Sequence, residues 1–362
     1  MKHWLWVNAR AFVVLLSAVA VTQLGYPQPP GAQADVHTPP PAGAGKYERV
    51  AVHGDSLVGN LEGDSPDRMV SVYLPPSYAK EPKRRYPVLY LLHGFTDSDT
   101  RWFGLNGQHF VNVQGAVDRA YAKGARELIV VMPDAFTKYQ GSMYSSSATT
   151  GNWEAFVTHD LVKYVDRHYR TLPRAASRGL AGHSMGGYGT LKLGMKYPGI
   201  FSSLYAMSPC CLGANLEPNA QAIEKAAQVT SAEQIAAADF GTKAMLASAA
   251  AWSPDPGNAP RYFALPVADG KPVPQVIAEW AANAPLAMVD QYLSNLKTYQ
   301  ALAFDAGDRD VGIAATVRTL DGILAGYRLA HTFEIYPGDH VSAINERLET
   351  KVLPFFSEHL KY

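Results

Sequence analysis

Cysteine is almost absent from this chain of 362 residues, and the two that occur, Cys210 and Cys211, are adjacent. Neighbouring cysteines cannot join distant segments, so the sequence excludes a disulfide-stapled scaffold, and it contains no C-x-x-C metal or redox motif. The pair could form a strained vicinal disulfide or remain as two buried thiols. Vicinal disulfides are rare, so we predict buried thiols.

An excess of charge of either sign is also missing. The sequence has 32 basic and 32 acidic residues, for a formal net charge of zero. Nucleic acids and anionic membranes attract basic surfaces, so we expect neither as a partner. The chain has no glycine-rich phosphate loop and no cluster of metal-ligand residues, and we predict no cofactor and no metal.

The apolar run at residues 11–21 is shorter than the roughly 20 residues that a membrane-spanning helix needs. It follows the basic residues Lys2 and Arg10 and precedes an A-x-A site that ends at Ala34. This order predicts a secretory signal peptide over residues 1–34, cut after Ala34, in preference to an uncleaved anchor. Residues 35–45 are rich in proline, glycine and alanine and predict a flexible leader. We expect a secreted protein, periplasmic or extracellular, without a stable membrane anchor.

Strand-like and helix-like segments alternate from residue 46 to the end. Apolar runs at 86–92 and 128–133 are typical of parallel strands covered on both faces, and further predicted strands follow at 179–181, 201–207, 298–306 and 332–336. Helical patterns lie at 153–169, 188–197, 312–327 and 344–359. Residues 46–53 and 68–74 alternate between apolar and polar, which predicts an antiparallel pair at one edge. The whole pattern predicts an α/β domain, residues 46–362, with a mostly parallel central sheet flanked by helices.

The pattern changes between about residues 212 and 297, where the chain is alanine-rich and broken by prolines. Thr230 with Glu233 predicts a capping box, and Pro285 suits the first position of a helix. We interpret this segment as a helical insertion over the carboxyl end of the sheet. It could add only packing, but we favour a cap that walls a substrate pocket.

The motif G-x-S-x-G occurs as Gly182, His183, Ser184, Met185 and Gly186, between a predicted strand and a predicted helix. A serine at such a sharp turn projects its Oγ above the sheet, and the glycines leave room for the strained backbone. The helix N-terminus behind it adds free N–H groups and a partial positive charge. This context predicts that Ser184 is a nucleophile.

A serine nucleophile needs a histidine base and a carboxylate that orients it. His340 follows the last predicted strand in a Pro-Gly-Asp-His turn and is our candidate base. Asp308 and Asp310 compete as the acid in the loop after the preceding strand, and we favour Asp310. Asp305 lies inside that strand, and Asp339 suits a turn. The chain order Ser, Asp, His is the one found in α/β-hydrolases.

The negative charge that develops on a substrate carbonyl oxygen needs backbone N–H donors. Met185, directly after the nucleophile, supplies one candidate. Phe95, in the loop after the strand at 86–92, supplies the other. We predict these two residues as the oxyanion hole.

The sequence resembles the esterase D-like family of α/β-hydrolases, which includes tributyrin and feruloyl esterases, S-formylglutathione hydrolases and the antigen 85 mycolyltransferases. The stretches that carry the resemblance are YPVLYLLHGF at 86–95, VVMPDA at 130–135, GSMY at 141–144, TGNWE at 150–154, DLVKYVDRHYR at 160–170 and GHSMGG at 182–187, with Gly307 to Asp310 before His340. The resemblance implies the α/β-hydrolase fold and places the acid at Asp310, three residues after a glycine. It covers about residues 47–360 except the insertion, because family members commonly have a shorter segment there.

Tyr144 and Trp153 flank a loop near the predicted site. They could line a substrate pocket or only pack that loop, and we name both as candidate substrate-binding residues. We predict a secreted serine esterase that forms an acyl-enzyme from a small-molecule or polysaccharide-linked ester. The alternatives are an acyltransferase with the same triad and a non-catalytic binding protein on the same fold.

Overall fold

The computed structural model describes residues 44–105, 109–214 and 219–362. The predicted signal peptide and most of the predicted leader lie outside these residues. Within the described ranges, no helix is both long and apolar enough to cross a bilayer.

The strands of the described residues are, in chain order, β1 (Lys46–His53), β2 (Asp67–Leu74), β3 (Val88–Leu92), β4 (Ile129–Pro133), β5 (Ser146–Ser147), β6 (Gly151–Asn152), β7 (Arg178–His183), β8 (Ser203–Met207), β9 (Val267–Ala268), β10 (Lys271–Pro272), β11 (Ala301–Gly307) and β12 (Thr332–Tyr336). The α-helices are α1 (Asp99–Trp102), α2 (Val113–Ala122), α3 (Trp153–Ala155), α4 (Leu161–His168), α5 (Met185–Lys196), α6 (Ala220–Ala227), α7 (Ala232–Ala237), α8 (Phe240–Trp252), α9 (Pro274–Ala282), α10 (Pro285–Leu296), α11 (Val311–Gly326), α12 (Ile344–Arg347) and α13 (Leu353–His359). Wider π-helical turns at Phe156–Asp160 and Leu348–Val352 join α3 to α4 and α12 to α13.

The central sheet has eight strands in the order β1-β2-β4-β3-β7-β8-β11-β12. The pairs β1–β2 and β2–β4 are antiparallel, and the other neighbours are parallel. The predicted α/β fold with an antiparallel edge is therefore confirmed. The chain leaves β3 toward β4 on one side and returns as β7 on the other, so the gap between the ends of β3 and β7 is a topological switch point, where such sheets bind ligands.

Both faces of the sheet are covered, as the apolar run of β3 predicts. All five of its residues are buried. Val88, Tyr90 and Leu92 join the core that contains α5 and α11, whereas Leu89 and Leu91 join the core that contains α2 and α13. Burial on both faces explains why β3 has no polar alternation.

The segment predicted as an insertion is mostly helical and contains α6 to α10. It has an apolar cluster of its own, in which Leu246 and Phe263 are fully buried. Pro285 begins α10, as predicted. The predicted capping box is wrong by one residue: Ser231 caps α7 and pairs with Gln234, because α7 begins at Ala232.

Candidate active site

Ser184 lies at a sharp turn between β7 and α5, with φ 55° and ψ −115°. This positive φ is costly for a residue with a side chain and persists only where the surroundings hold it. The Ser184 N–H donates to Met207 O at 3.0 Å, and Ser184 O accepts from Cys210 N at 3.1 Å. The helix begins at Met185, three residues earlier than the sequence pattern predicts.

Glycine is needed on both sides of this turn because backbone approaches too closely for a side chain. A Cβ on Gly186 would lie 2.0 Å from Leu92 O, and one on Gly182 would lie 2.3 Å from Gly186 O. The G-x-S-x-G spacing therefore lets the start of α5 rest directly on the end of β3.

The structure brings the three predicted polar side chains into one hydrogen-bonded row. His340 Nε2 lies 2.9 Å from Ser184 Oγ, and His340 Nδ1 lies 2.5 Å from Asp310 Oδ2. Asp310 precedes α11, and His340 lies in the loop after β12. Since a carboxylate only accepts, Nδ1 carries the imidazole proton and Nε2 is free to accept the serine proton.

The competing aspartates have other partners. Asp308 Oδ1 accepts from Gly338 N at 2.9 Å, and Asp339 Oδ1 accepts from Val341 N and from Ser342 N. Asp305 is fully buried and accepts from Arg347 Nε at 2.7 Å. Among the four, Asp310 is the one that contacts the ring of His340.

Phe95 and Met185 meet beside the serine. A Cβ on Gly141 would lie 2.5 Å from Phe95 Cδ2 and 2.8 Å from Met185 Sδ, and one on Gly94 would lie 3.5 Å from Ser184 Cβ. Within the described part of the chain, neither the Phe95 N–H nor the Met185 N–H donates to another backbone or side-chain atom. Both N–H groups are therefore without an acceptor in the described residues, as the oxyanion prediction requires.

Tyr144 and Trp153 are interior residues, exposed by only 0% and 1%. Tyr144 Oη donates to His93 O at 3.2 Å, and Trp153 Nε1 donates to Thr150 O at 2.9 Å. The prediction that they line a substrate pocket is not supported by this burial. They hold the loop in place, the alternative that sequence alone left open.

Cys210 and Cys211 are free thiols whose Sγ atoms lie 2.7 Å apart. They are half-buried rather than buried as predicted. Their segment connects β8 to the insertion and donates the backbone hydrogen bond to Ser184 described above, so its main chain supports the turn. In the described ranges, no group of three or more His, Cys, Asp or Glu side chains is placed to hold a metal ion.

The insertion reaches the site through Phe240, the first residue of α8. Its ring meets that of Phe95 edge to face, with centroids 5.6 Å apart. Phe240 is nevertheless 63% exposed. An exposed aromatic ring therefore lies next to one of the two candidate oxyanion residues.

Sequence analysis gave no role to two buried side chains, one next to the serine and one about two turns further along α5. His183 contacts the backbone of His340, and Lys192 pairs with Glu154. His183 belongs to the G-x-S-x-G motif, but the motif does not predict the direction of its ring. A lysine between two leucines, inside a helix of mostly apolar residues and glycines, was the available signal for Lys192.

The Esterase family model matches residues 65–341. An esterase of Mycobacterium tuberculosis is 36% identical over 136 residues, which are 37% of this chain and 27% of that relative. The match therefore spans about a quarter of the relative's length.

Solved structures of esterases and related hydrolases are similar to this chain over more of its length. A ferulic acid esterase superposes with a TM-score of 0.61 and 20% identity, covering 88% of this chain and 99% of that one. An S-formylglutathione hydrolase of Staphylococcus aureus superposes with a TM-score of 0.56 and 17% identity, covering 87% and 99%. At this identity the likeness concerns the α/β-hydrolase fold.

Proposed function

We propose that this chain, which belongs to the Esterase family, is a carboxylic ester hydrolase that works through an acyl-enzyme on Ser184. The observation that carries the proposal is the row of contacts from Asp310 Oδ2 to His340 Nδ1 and from His340 Nε2 to Ser184 Oγ. The proton acceptor that the serine hydroxyl needs, His340 Nε2, already lies within hydrogen-bond distance of Ser184 Oγ.

The proposed reaction has two halves. Ser184 Oγ attacks the ester carbonyl while His340 Nε2 takes its proton, and Asp310 stabilises the resulting imidazolium. The N–H groups of Phe95 and Met185 donate to the oxyanion, a contribution of about 3–4 kcal/mol for a single donor in measured systems. His340 then protonates the departing alcohol, and a water activated by the same ring releases the acid.

We propose that the segment 212–297 is a cap that selects the acyl or alcohol group. The support is the position of Phe240 against Phe95, because a substrate whose carbonyl meets the Phe95 N–H must pass near that ring. Small-molecule and polysaccharide-linked esters with an aromatic or apolar acyl group fit this surface.

Export is proposed from the sequence. The basic start, the apolar run and the A-x-A site over residues 1–34 support cleavage after Ala34. Expression of the full chain with mass determination of the mature N-terminus tests this. A product that starts at Asp35 supports it, and one that keeps residues 1–34 contradicts it.

The acyl-enzyme is tested with a fluorophosphonate followed by peptide mapping, and with p-nitrophenyl esters of rising chain length beside a feruloyl ester. We expect the label on Ser184 and loss of turnover in Ser184→Ala. His340→Ala serves as a second variant, because the strained turn could make the serine substitution unfold the protein. Label at another residue, or full activity in a folded Ser184→Ala, would overturn the proposal. Adding an alcohol acceptor distinguishes hydrolysis from acyl transfer.

A further inference from the structure

His183 is a buried imidazole that connects the serine turn to the loop of His340. It is 2% exposed, and its Nε2 lies 2.8 Å from His340 O. The two rings lie side by side, with centroids 4.7 Å apart. His340 is thus contacted at three points: both ring nitrogens and the main-chain carbonyl.

The tautomer of His183 follows from its partners. A carbonyl oxygen only accepts, so His183 Nε2 carries the proton and donates it to His340 O. Among the described residues, His183 Nδ1 is buried and has no hydrogen-bond partner. Burial, and then the neighbouring His340, lower the pKa of His183 to about 3. The ring is neutral at neutral pH and adds no positive charge beside His340.

Aromatic neighbours fix the direction of the ring. Trp102 and Phe110 lie with ring centroids 6.0 and 5.7 Å from that of His183. Trp102 is in turn anchored, because its Nε1 donates to Asp97 Oδ2 at 2.6 Å. The Nε2–H of His183 therefore points at the His340 carbonyl without having to be ordered by the substrate.

We propose that His183 is a positioning residue for His340: through its Nε2–H it holds the main chain of the base at the distance from which the ring reaches Ser184 Oγ. The inference rests on the proposed roles of Ser184 and His340. Its basis is that consecutive residues contact the base, His183 at the carbonyl and Ser184 at the ring. The rigid end of β7 thereby sets both distances together, although His340 itself lies in a loop.

A purely space-filling role would not need an imidazole here. An apolar side chain of similar size would fill the volume without burying an unpartnered nitrogen, whose desolvation is unfavourable. The hydrogen bond to His340 O is the compensating contact that the ring makes.

Three substitutions separate positioning from packing. His183→Gln can place an amide N–H near the position of Nε2 and reach the His340 carbonyl. His183→Asn places its amide near the position of Nδ1 and falls short of that carbonyl. His183→Phe keeps a ring and removes the donor. Each variant is measured for kcat and KM with p-nitrophenyl acetate, for the rate of fluorophosphonate labelling, and for its melting temperature.

We expect kcat and the labelling rate to fall roughly 10- to 100-fold in the Asn and Phe variants, because a misplacement of about 1 Å can cost a factor of that size. KM should change less than threefold or so, since His183 does not touch the ester. His183→Gln should recover most of the lost kcat. A role in packing alone predicts instead that activity follows the melting temperature, with Phe the best tolerated.

The inference is overturned if the folded Asn and Phe variants keep wild-type kcat, or if Gln is as impaired as Asn at an equal melting temperature. If the wild-type chain shows no turnover that depends on Ser184, the proposed function itself fails and this inference falls with it. The wild-type and Ser184→Ala controls therefore tell the two failures apart.

Discussion

Lys192 Nζ lies 3.2 Å from Glu154 Oε1 in the interior, where 2% and 1% of the two side chains are exposed. The ammonium also donates to Ser145 Oγ and to Asn283 Oδ1, each at 2.7 Å. Lys192 is on α5, the helix that starts at the serine turn, and Asn283 follows α9 in the insertion. One buried cation therefore connects the nucleophile helix, the segment between β4 and β5, and the insertion.

We expect Glu154→Gln to lower the free energy of unfolding by about 3–5 kcal/mol, because removing one partner leaves an uncompensated charge in the interior. Denaturant titration measures this. The exposed pair Lys225–Asp239, in which the lysine side chain is 67% exposed, is the control, and Lys225→Ala should cost less than about 1 kcal/mol. Equal effects at the two pairs would contradict the role given to burial.

Asp310 and Asp308 offer a matched pair two residues apart. Asp310→Asn should lower kcat by roughly 10⁴-fold, because an amide in place of the carboxylate disfavours the required tautomer and no longer stabilises the imidazolium. Asp308→Asn keeps an oxygen that can accept from Gly338 N, so its kcat should stay within about threefold of wild type. Steady-state kinetics on one p-nitrophenyl ester decides between them. A larger loss in the Asp308 variant would show that the acid was assigned to the wrong residue.

Gly186 and Gly322 differ in the space around them. A Cβ on Gly186 would meet Leu92 O at 2.0 Å, whereas nothing lies within 4 Å of one on Gly322, inside α11. Gly186→Ala should cost more than about 3 kcal/mol of stability or prevent folding, since the atoms that a Cβ would meet belong to the backbone of β3 and of the residue after it. Gly322→Ala should add about 0.5–1 kcal/mol by helix propensity. Urea unfolding of both proteins is the measurement, and a stable, active Gly186→Ala would disagree with the structure.

Burial of His183 as a neutral ring has a consequence for acid stability. The unfolded chain binds a proton at His183 below its ordinary pKa of 6.5, but the folded protein does not until about pH 3. Unfolding therefore takes up a proton between these values, and stability falls as the pH falls through that window, by up to about 1.4 kcal/mol per pH unit. His340, Asp97 and His109 surround the ring and remain in the variant described next.

His183→Phe has no group at this position that takes up a proton on unfolding. Its free energy of unfolding should be lower than that of wild type at pH 7, but it should decline less steeply from pH 6 to pH 4. Denaturant titrations at three pH values give the two slopes. Parallel curves for the two proteins would mean that His183 does not stay neutral in the folded state.

Phe240 gives a test of the proposed cap. We expect Phe240→Ala to raise KM for aromatic and long-chain esters by about tenfold, the loss of roughly 1.4 kcal/mol of apolar contact, while p-nitrophenyl acetate is turned over as before. Tyr327→Ala removes another exposed aromatic ring, at the far end of α11 and about 26 Å along the helix from Asp310. It should leave every ester unaffected. An unchanged acyl preference in the Phe240 variant would argue against the cap.

Much of the fold was predictable from local pattern. The apolar run of β3, the alternation in β1 and β2, and Pro285 at the start of α10 each express a short-range preference of the backbone or of burial. The G-x-S-x-G spacing likewise predicted the turn at Ser184, because close backbone approach at Gly182 and Gly186 leaves no other residue type possible. Boundaries were less certain: α5 begins at Met185, and the capping box is at Ser231, one residue from its predicted place.

The sequence by itself determined the alternation of strands and helices, the turn at Ser184 and the order in which Ser184, Asp310 and His340 follow their strands. Only the tertiary structure decided which aspartate reaches His340, because this depends on the register in which Gly307 of β11 pairs with Tyr336 of β12. The burial of Tyr144 and Trp153 and the contact of His183 with the His340 carbonyl likewise became visible only in the tertiary structure. The contacts of His340 with Asp310 and with His183 join residues 30 and 157 positions apart, and local preferences along a chain carry no information about such contacts.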